Sequence, residues 1–160
     1  MEFKKGGIKG VVIRPLKKHV DERGWLSELF RSDDLPEKAL MPVMSYVSVT
    51  NPGITRGPHE HVEQTDYFCF FGPSNFKLCL WDARPGSETY GCRQVVFAGV
   101  DNPCAAVVPP GVVHAYKNIG AKDGVVLNFP NRLFMGEAKR SAVDEIRHED
   151  AVNSPYRVDE

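Results

Sequence analysis

The stretch Gly53-Ile54-Thr55-Arg56-Gly57-Pro58-His59-Glu60-His61 carries two histidines at alternate positions. Alternate residues of a β-strand point to the same face, so we expect His59 and His61 to face the same way. Histidine can take or give a proton near neutral pH, and Arg56 beside it can hold a phosphate or carboxylate through several N–H donors. The stretch therefore predicts one of two sites on a strand: an acid–base site for an anionic substrate, or half of a metal site.

Strand-like runs separated by glycine and proline lie on both sides of this stretch. They are short, and most are rich in β-branched or aromatic residues. Regular spacing of such runs is typical of an antiparallel sandwich or barrel. We therefore expect an all-β fold with strands at residues 8–16, 25–30, 43–50, 66–71, 76–81, 94–97, 105–108, 114–119 and 125–129.

Two short helices are expected to flank the strands. Residues 32–34, Ser-Asp-Asp, can cap a helical turn that extends to residue 40. Residues 136–146 are rich in helix formers, with apolar positions spaced for one face of a helix. With 160 residues, the chain is expected to be one domain, with a core at about 8–130 and a C-terminal helix and tail at 131–160.

The overall composition is that of an ordinary globular protein, with 42% hydrophobic and 26% charged residues and a formal net charge of −1. This balance gives no reason to expect a nucleic acid or a membrane surface as a partner. No apolar run approaches the roughly 20 residues that span a bilayer, and the N-terminus lacks the apolar stretch of a signal peptide. The four cysteines have no Cys-x-x-Cys spacing, so we expect free thiols in a reducing cytoplasm.

A second histidine motif lies downstream, Pro109-Pro110-Gly111-Val112-Val113-His114-Ala115-Tyr116-Lys117-Asn118. Its pattern, Pro-x-Gly-x₂-His-x₃-Asn, and the Gly-x₅-His-x-His of the first stretch resemble the two motifs of the cupin superfamily. Asp66 stands where that superfamily usually has a glutamate. The resemblance implies a cupin double-stranded β-helix, or jelly roll, with the site inside the mouth of the barrel. This fold agrees with the spacing of the strands.

Six motifs, two of them within the stretches already described, occur in order along residues 8–150. They are Asp21-Glu22-Arg23-Gly24, Glu28-Leu29-Phe30, Arg56-Gly57-x-His59, Asp82-Ala83-Arg84-Pro85-Gly86-Ser87-Glu88-Thr89-Tyr90-Gly91, Pro110-Gly111-x-x-His114 and Ile146-Arg147-His148-Glu149-Asp150. Each motif is weak alone, but the ordered series is specific. It resembles the dTDP-4-dehydrorhamnose 3,5-epimerase family and its sugar-nucleotide relatives.

This resemblance implies an isomerase that needs no cofactor and no metal and acts on a nucleotide-linked 4-keto-6-deoxy sugar. The keto group acidifies the neighbouring hydrogens, a base removes one, and a proton returns to the enolate from the other face. By resemblance His59 is the base and Asp150 is its carboxylate partner. Such a partner fixes the tautomer of the imidazole and stabilises the imidazolium.

The resemblance also implies which residues bind the substrate. Arg56 and His114 look like groups near the keto sugar, where an arginine would stabilise the enolate charge. Arg23 and Glu28 look like nucleotide contacts. In the family Arg23 typically reaches the diphosphate of a neighbouring subunit's ligand, which implies a homodimer. The remaining residues expected to bind substrate are His61, Tyr116 and Asn128.

The chain departs from the family pattern at three positions. The family's lysine falls near Thr65 or Asp66, its tyrosine acid aligns with Asn128, and its asparagine falls near Tyr46. Epimerisation at one carbon, or a keto-sugar isomerisation in which His59 shuttles the proton, would need fewer groups than 3,5-epimerisation. A substitute acid could come from one of three tyrosines, Tyr46, Tyr67 or Tyr116.

His61 leaves a metal-dependent cupin open as an alternative, either an isomerase or a dioxygenase, because metal cupins use both histidines of the first motif. His59, His61, Asp66 and His114 would then form a mixed nitrogen–oxygen set suited to zinc, iron, manganese or nickel. A second alternative is a non-catalytic cupin that binds a sugar nucleotide, since the family's lysine and tyrosine are replaced here.

Overall fold

The computed structural model of the chain describes residues 2–35 and 40–159. Within these residues thirteen strands form two large sheets and a small one. The strands are β1 (Lys4–Lys5), β2 (Val12–Pro15), β3 (His19–Asp21), β4 (Gly24–Leu26), β5 (Tyr46–Thr50), β6 (Thr55–Glu60), β7 (Asp66–Gly72), β8 (Asn75–Asp82), β9 (Cys92–Gly99), β10 (Cys104–Val108), β11 (Val112–Asn118), β12 (Gly124–Asn128) and β13 (Ile146–Arg147).

The two large sheets pack against each other across a shared apolar core. The six-stranded sheet has the order β1-β9-β8-β11-β6-β13, and the five-stranded sheet has the order β2-β10-β7-β12-β5. Of the strand pairs described, β1 with β9 is parallel and the others are antiparallel. The core takes side chains from both sheets, among them Phe68, Phe70, Phe76, Leu78, Leu80, Ala106, Val108, Val112 and Val126. The predicted all-β jelly roll is confirmed.

The outer faces of both sheets are partly covered as well. Trp81 of β8 lies under the C-terminal tail, where Val158 packs against it. Tyr67 of β7 packs against the loop that carries Leu29. Strands that are buried on both faces have continuous apolar runs, and this explains why residues 67–71 are apolar and aromatic without alternation.

Strands β3 and β4 form a hairpin that pairs with no other strand in the described part of the chain. The strand predicted at 25–30 is therefore confirmed only at its beginning, as β4. Three large apolar side chains of the hairpin, Val20, Trp25 and Leu26, are exposed.

The helix predicted at 136–146 is wrong. The chain there forms only a 3₁₀ turn, Glu137–Lys139, and positive φ angles at Ala138 and Lys139 exclude a continuous α-helix. The segment then runs extended into β13, which pairs with β6 at the edge of the six-stranded sheet. None of residues 136–146 is fully buried, so a helix there would gain no stabilisation from packing an apolar face.

The helical turn predicted at 32–40 lies partly outside the described residues, since 36–39 are not among them. Residues 32–34 form a turn, in which the Asp34 backbone N–H donates to the Arg31 carbonyl oxygen at 3.3 Å. Among the described residues there is no helix with the length and apolar character that crossing a membrane requires.

Candidate active site

Two neighbouring strands bring His59 and His114 together. Strands β6 and β11 pair in antiparallel register with His59 opposite His114, and the two ring centroids lie 4.5 Å apart. Gly57 permits this approach, because its φ is +80° and a Cβ there would lie 2.6 Å from the His114 carbonyl oxygen. His61 follows β6, and its ring lies 5.7 Å from that of His59 and 5.8 Å from that of His114. The alternation of the two histidines therefore does place them on one face.

A buried carboxylate, Asp66 at the start of β7, lies between these rings. Its Oδ2 is 3.2 Å from His61 Nε2 and 3.3 Å from His114 Nε2. Its Oδ1 accepts hydrogen bonds of 2.8 Å from Gln64 Nε2 and from Asn128 Nδ2. Burial raises the pKa of Asp66, but hydrogen bonds from His114 and His61 outweigh burial and hold the pKa well below its usual range. Asp66 is therefore an ionised group in the interior of the site.

His61 supplies the positive charge that Asp66 needs. Its Nε2 faces Asp66, and its Nδ1 donates to the backbone carbonyl oxygen of Asp144. Burial lowers the pKa of His61, but the hydrogen bond and charge of Asp66 and the contact with Asp144 raise it to about 9. Asp66 and the Asp144 carbonyl oxygen thus favour the protonated form of His61 at neutral pH, while Gln64 Nε2 also lies 3.1 Å from His61 Nε2.

His59 has the opposite protonation state. Burial, together with the neighbouring His114 and His61, lowers the pKa of His59 to about 3. Its Nδ1 is buried and has no hydrogen-bond partner among the described residues. A neutral imidazole of this kind can accept a proton from a substrate.

The carboxylates nearest to His59 are those of Glu145 and Glu149. Glu145 Oε1 lies 3.7 Å and Glu149 Oε1 lies 3.9 Å from His59 Nδ1, longer than a hydrogen bond but close enough to stabilise a positive ring. Strand β13 sets this geometry, because Arg147 pairs with His59, and Pro58 accepts the backbone N–H of Glu149 at 3.1 Å. Asp150, the partner predicted by resemblance, is exposed and is not within 4 Å of His59 in the described structure.

Asp144 fastens this C-terminal segment over the site. Its two carboxylate oxygens accept the backbone N–H groups of residues 62–64 at 2.8 to 2.9 Å. Burial raises the pKa of Asp144, but the three amide hydrogen bonds outweigh burial and lower the pKa. Residues 144–149 therefore reach His59 and His61 from a part of the chain more than eighty positions away.

Three other residues expected to bind substrate lie near the histidines. Arg56 lines the same cleft, where its Nε donates to Thr50 Oγ1 at 2.9 Å and its Nη2 to the Val49 carbonyl oxygen at 2.7 Å. Tyr116 is buried, with its hydroxyl 2.8 Å from Ser48 Oγ. Asn128 is buried beside Asp66.

The two predicted nucleotide contacts, Arg23 and Glu28, are not brought to this cleft. Arg23 lies at the tip of the β3–β4 hairpin and bonds to Asp21, with Nη2 2.5 Å from Oδ2. Glu28 forms an exposed pair with Arg31 at 3.5 Å. Within the described chain neither residue lines the cleft that contains His59.

The cleft has a volume of about 1420 Å³ and is lined by the six-stranded sheet, by the five-stranded sheet and by residues of the segment 130–149. Two residues of its walls, Glu145 and Glu149, have no role predicted from the sequence, and Tyr46 is predicted only as one of three candidate acids. The two glutamates fall in and beside the segment predicted to be helical, and no local pattern indicates that they return to β6. The position of Tyr46 depends on the pairing of β5 with β12, which the sequence does not specify.

The three imidazoles have the chemistry of a transition-metal site, and they form a group that could hold such an ion. Their ligand atoms lie within 4.8 Å of one another. Asp66 already contacts His61 and His114. The proton held by His61 therefore neutralises this carboxylate, as a metal ion would otherwise do.

The chain is similar in sequence and in fold to known proteins. The sequence model of the dTDP-4-dehydrorhamnose 3,5-epimerase family matches residues 5–142. A probable low-salt glycan biosynthesis epimerase, Agl13 of Haloferax volcanii, is 36% identical over 129 residues, which are 79% of this chain and 81% of that protein. The spore coat polysaccharide biosynthesis protein SpsL of Bacillus subtilis is 33% identical over 124 residues, 76% of this chain and 79% of that protein.

A solved structure, that of a dTDP sugar isomerase from Desulfovibrio desulfuricans, has the same fold. Its TM-score is 0.81 at 21% identity, with 95% of this chain and 92% of that chain covered. Fold, ordered motifs and sequence relatives lead to one assignment. The chain belongs to the dTDP-4-dehydrorhamnose 3,5-epimerase family, isomerases that act on nucleotide-linked sugars.

Proposed function

We propose that the chain rearranges the sugar of a nucleotide-linked 4-keto-6-deoxy sugar by removing a proton next to the ketone, with His59 as the base. The observation that carries the proposal is a neutral imidazole at the wall of the cleft with two carboxylates behind its Nδ1. Membership of the family supports the class of substrate. The chemistry needs no cofactor, because proton transfer is the only covalent step.

The first step transfers a proton from carbon to His59. The carbon–hydrogen bond breaks, its electron pair moves towards the keto oxygen, and His59 becomes an imidazolium. Glu145 and Glu149 stabilise that charge from the far side of the ring, and we assign to them the partner role that the family resemblance gives to Asp150. At 3.7 and 3.9 Å from His59 Nδ1, the two carboxylates are too far away to form a hydrogen bond with the neutral ring, but they are close enough to stabilise its positive charge.

The negative charge that develops on the keto oxygen needs positive groups or N–H donors. Arg56 lines the cleft and retains N–H groups beyond those used on Thr50 and Val49. We propose that it stabilises the enolate, with His114 and the charged His61 beside it. The same first step begins epimerisation at one carbon, epimerisation at two carbons and keto-sugar isomerisation.

A homodimer would complete the nucleotide site. Arg23 and Glu28 lie outside the cleft of their own chain, and the hairpin that carries Arg23 has exposed apolar side chains. We propose that the hairpin lies on a second copy and brings Arg23 to the diphosphate of that copy's ligand. We place the protein in the cytoplasm, which the four free thiols of Cys69, Cys79, Cys92 and Cys104 support.

Solvent-deuterium exchange tests the base. The wild type is expected to incorporate deuterium next to the ketone of dTDP-linked or UDP-linked 4-keto-6-deoxyglucose, and His59→Ala should lower that rate by at least about 100-fold. Lys122→Ala, at an exposed residue outside the cleft, is the control and should retain the wild-type rate. Unchanged exchange in a folded His59→Ala protein would refute the assignment.

A further inference from the structure

Asn128 and Tyr46 form a cross-strand pair next to the histidines. Strands β12 and β5 pair with Asn128 opposite Tyr46, and Asn128 Nδ2 lies 2.7 Å from the Tyr46 hydroxyl oxygen. The same Nδ2 donates to Asp66 Oδ1 at 2.8 Å, and Asn128 Oδ1 accepts the Tyr67 backbone N–H at 3.0 Å. These two contacts fix the orientation of the amide, because an ionised carboxylate requires a donor and a backbone N–H requires an acceptor.

The orientation of the Asn128 amide determines whether the Tyr46 hydroxyl donates or accepts in the hydrogen bond between them. Asn128 Nδ2 can only donate, so the Tyr46 oxygen is the acceptor in this bond and its own proton is not used there. Tyr46 lines the cleft that contains His59 and is 44% exposed, so that proton is available to a group bound in the cleft. Burial of the hydroxyl, together with the charge of Asp66, raises the pKa of Tyr46, so the phenol stays protonated at neutral pH.

The other tyrosines near the site do not offer such a proton. Tyr67 donates its hydroxyl to the Leu29 carbonyl oxygen at 2.9 Å, on the outer face of the five-stranded sheet. Tyr116 is 4% exposed and its hydroxyl is engaged with Ser48 at 2.8 Å. Among the described residues that line the cleft, Tyr46 is thus the tyrosine that is both exposed and left with an unused donor.

We propose that Tyr46 is the acid that returns a proton to the enolate carbon from the side of the five-stranded sheet, opposite His59. This inference rests on the proposed function, in which His59 on the six-stranded sheet removes the first proton. The Tyr46 O–H bond breaks as the new carbon–hydrogen bond forms, and the electron pair of the enolate supplies that bond. Tyr46 is left as a phenolate that the Asn128 N–H stabilises. Proton exchange with solvent then returns His59 and Tyr46 to their starting states, and Asn128 is a positioning residue.

Tyr46→Phe separates the second proton transfer from the first. We expect this variant to retain deuterium exchange into dTDP-4-keto-6-deoxyglucose, with the original configuration, within about threefold of the wild type. Formation of the epimer should fall by at least about 100-fold. Tyr46→Gln should behave in the same way, because its carbonyl oxygen can accept the Asn128 N–H but its side chain has no acidic proton. Tyr90→Phe, at an exposed tyrosine outside the cleft, should leave both rates unchanged.

The outcomes distinguish this inference from the proposed function. Epimer formation at the wild-type rate in Tyr46→Phe would overturn the role of Tyr46 while leaving His59 as the base. Equal loss of exchange and epimer formation in both folded Tyr46 variants would also overturn it, since Tyr46 would then act before the return step. A wild type that exchanges deuterium but forms no epimer would have no need of this acid and would likewise refute the role. Undiminished exchange in His59→Ala would instead refute the proposed function.

Discussion

His59 and His61, two positions apart, differ in charge, because His61 contacts the buried carboxylate of Asp66 and His59 does not. His61 meets Asp66 through Nε2 and a carbonyl oxygen through Nδ1, so both nitrogens favour the protonated ring. His59 is buried near the same group but has no hydrogen-bond acceptor among the described residues, and desolvation keeps it neutral. His61 therefore acts as a counter-ion, which leaves His59 free to accept a proton.

The charge on His61 predicts a loss of stability at alkaline pH. The folded chain holds this proton to a pH of about 9, whereas an unfolded histidine releases it near 6.5. The stabilisation is thus complete below pH 6.5 and is lost as the pH rises through 9. Because one pKa unit corresponds to about 1.4 kcal/mol, the free energy of unfolding should fall by on the order of 3 kcal/mol.

Urea unfolding at pH 6.5, 8 and 9.5 measures this loss. His61→Gln should show a much smaller decrease over that range, whereas His19→Gln should follow the wild type. The lowered pKa of His59 acts in the other direction, since it costs stability as the pH falls below 6.5, and it does not contribute to the alkaline loss. An equal pH dependence in His61→Gln and the wild type would contradict the ion pair with Asp66.

The strands and the three histidines could be predicted from the sequence, because their signals are local. Alternation and turn residues determine where β6 and β11 lie, and the motif spacing places His59 and His114 on them. The segment of residues 140–149 could not be predicted, because its conformation depends on Asp144 and on pairing with β6, not on local preference. The helix formers in this segment favour a helix, but the fold offers no apolar surface on which such a helix could pack.

The contact between Asn128 and Tyr46 could not be predicted from the sequence either, because it depends on the pairing of strands β12 and β5. The family's tyrosine aligns with Asn128 and its asparagine falls near Tyr46, so each residue considered alone looks like a loss. Strands β5 and β12 place the two positions opposite each other, and the amide and the phenol still meet. The register of the two strands brings the amide of Asn128 and the phenol of Tyr46 into contact, which neither position shows by itself.

The extended segment of residues 144–149 predicts which carboxylates matter for activity. Changing Glu145 and Glu149 together to glutamine should lower kcat for deuterium exchange by about 100-fold or more, because the imidazolium of His59 loses its stabilising charges. KM should change by no more than a few-fold, since the glutamine side chains keep the shape of the cleft. Asp150→Asn is the matched control, and its kcat should equal that of the wild type. If Asp150→Asn lost activity and the Glu145→Gln, Glu149→Gln variant did not, Asp150 would be the carboxylate partner of His59.

The β3–β4 hairpin lies outside the two large sheets of the jelly roll. The β3–β4 hairpin pairs with neither large sheet in the described structure, and an isolated hairpin has marginal stability in water. Val20 is 76% exposed and Leu26 is 68% exposed, so the hairpin presents apolar surface to solvent. A second copy of the chain would bury this surface and bring Arg23 to a cleft.

Sedimentation velocity tests the dimer together with its role in binding. The wild type should sediment as a dimer, and the double substitution Val20→Glu, Leu26→Glu should give a monomer whose KM is raised at least about tenfold, because Arg23 no longer reaches the partner's ligand. Arg23→Ala should remain dimeric and show a similar rise in KM. This variant therefore separates the contact between Arg23 and the ligand from the formation of the dimer. Val152→Glu, at a side chain that is 95% exposed, should change neither property. A monomeric wild type with normal turnover would show that each chain binds its nucleotide alone, and a dimer that persists in the double variant would place the interface on another surface.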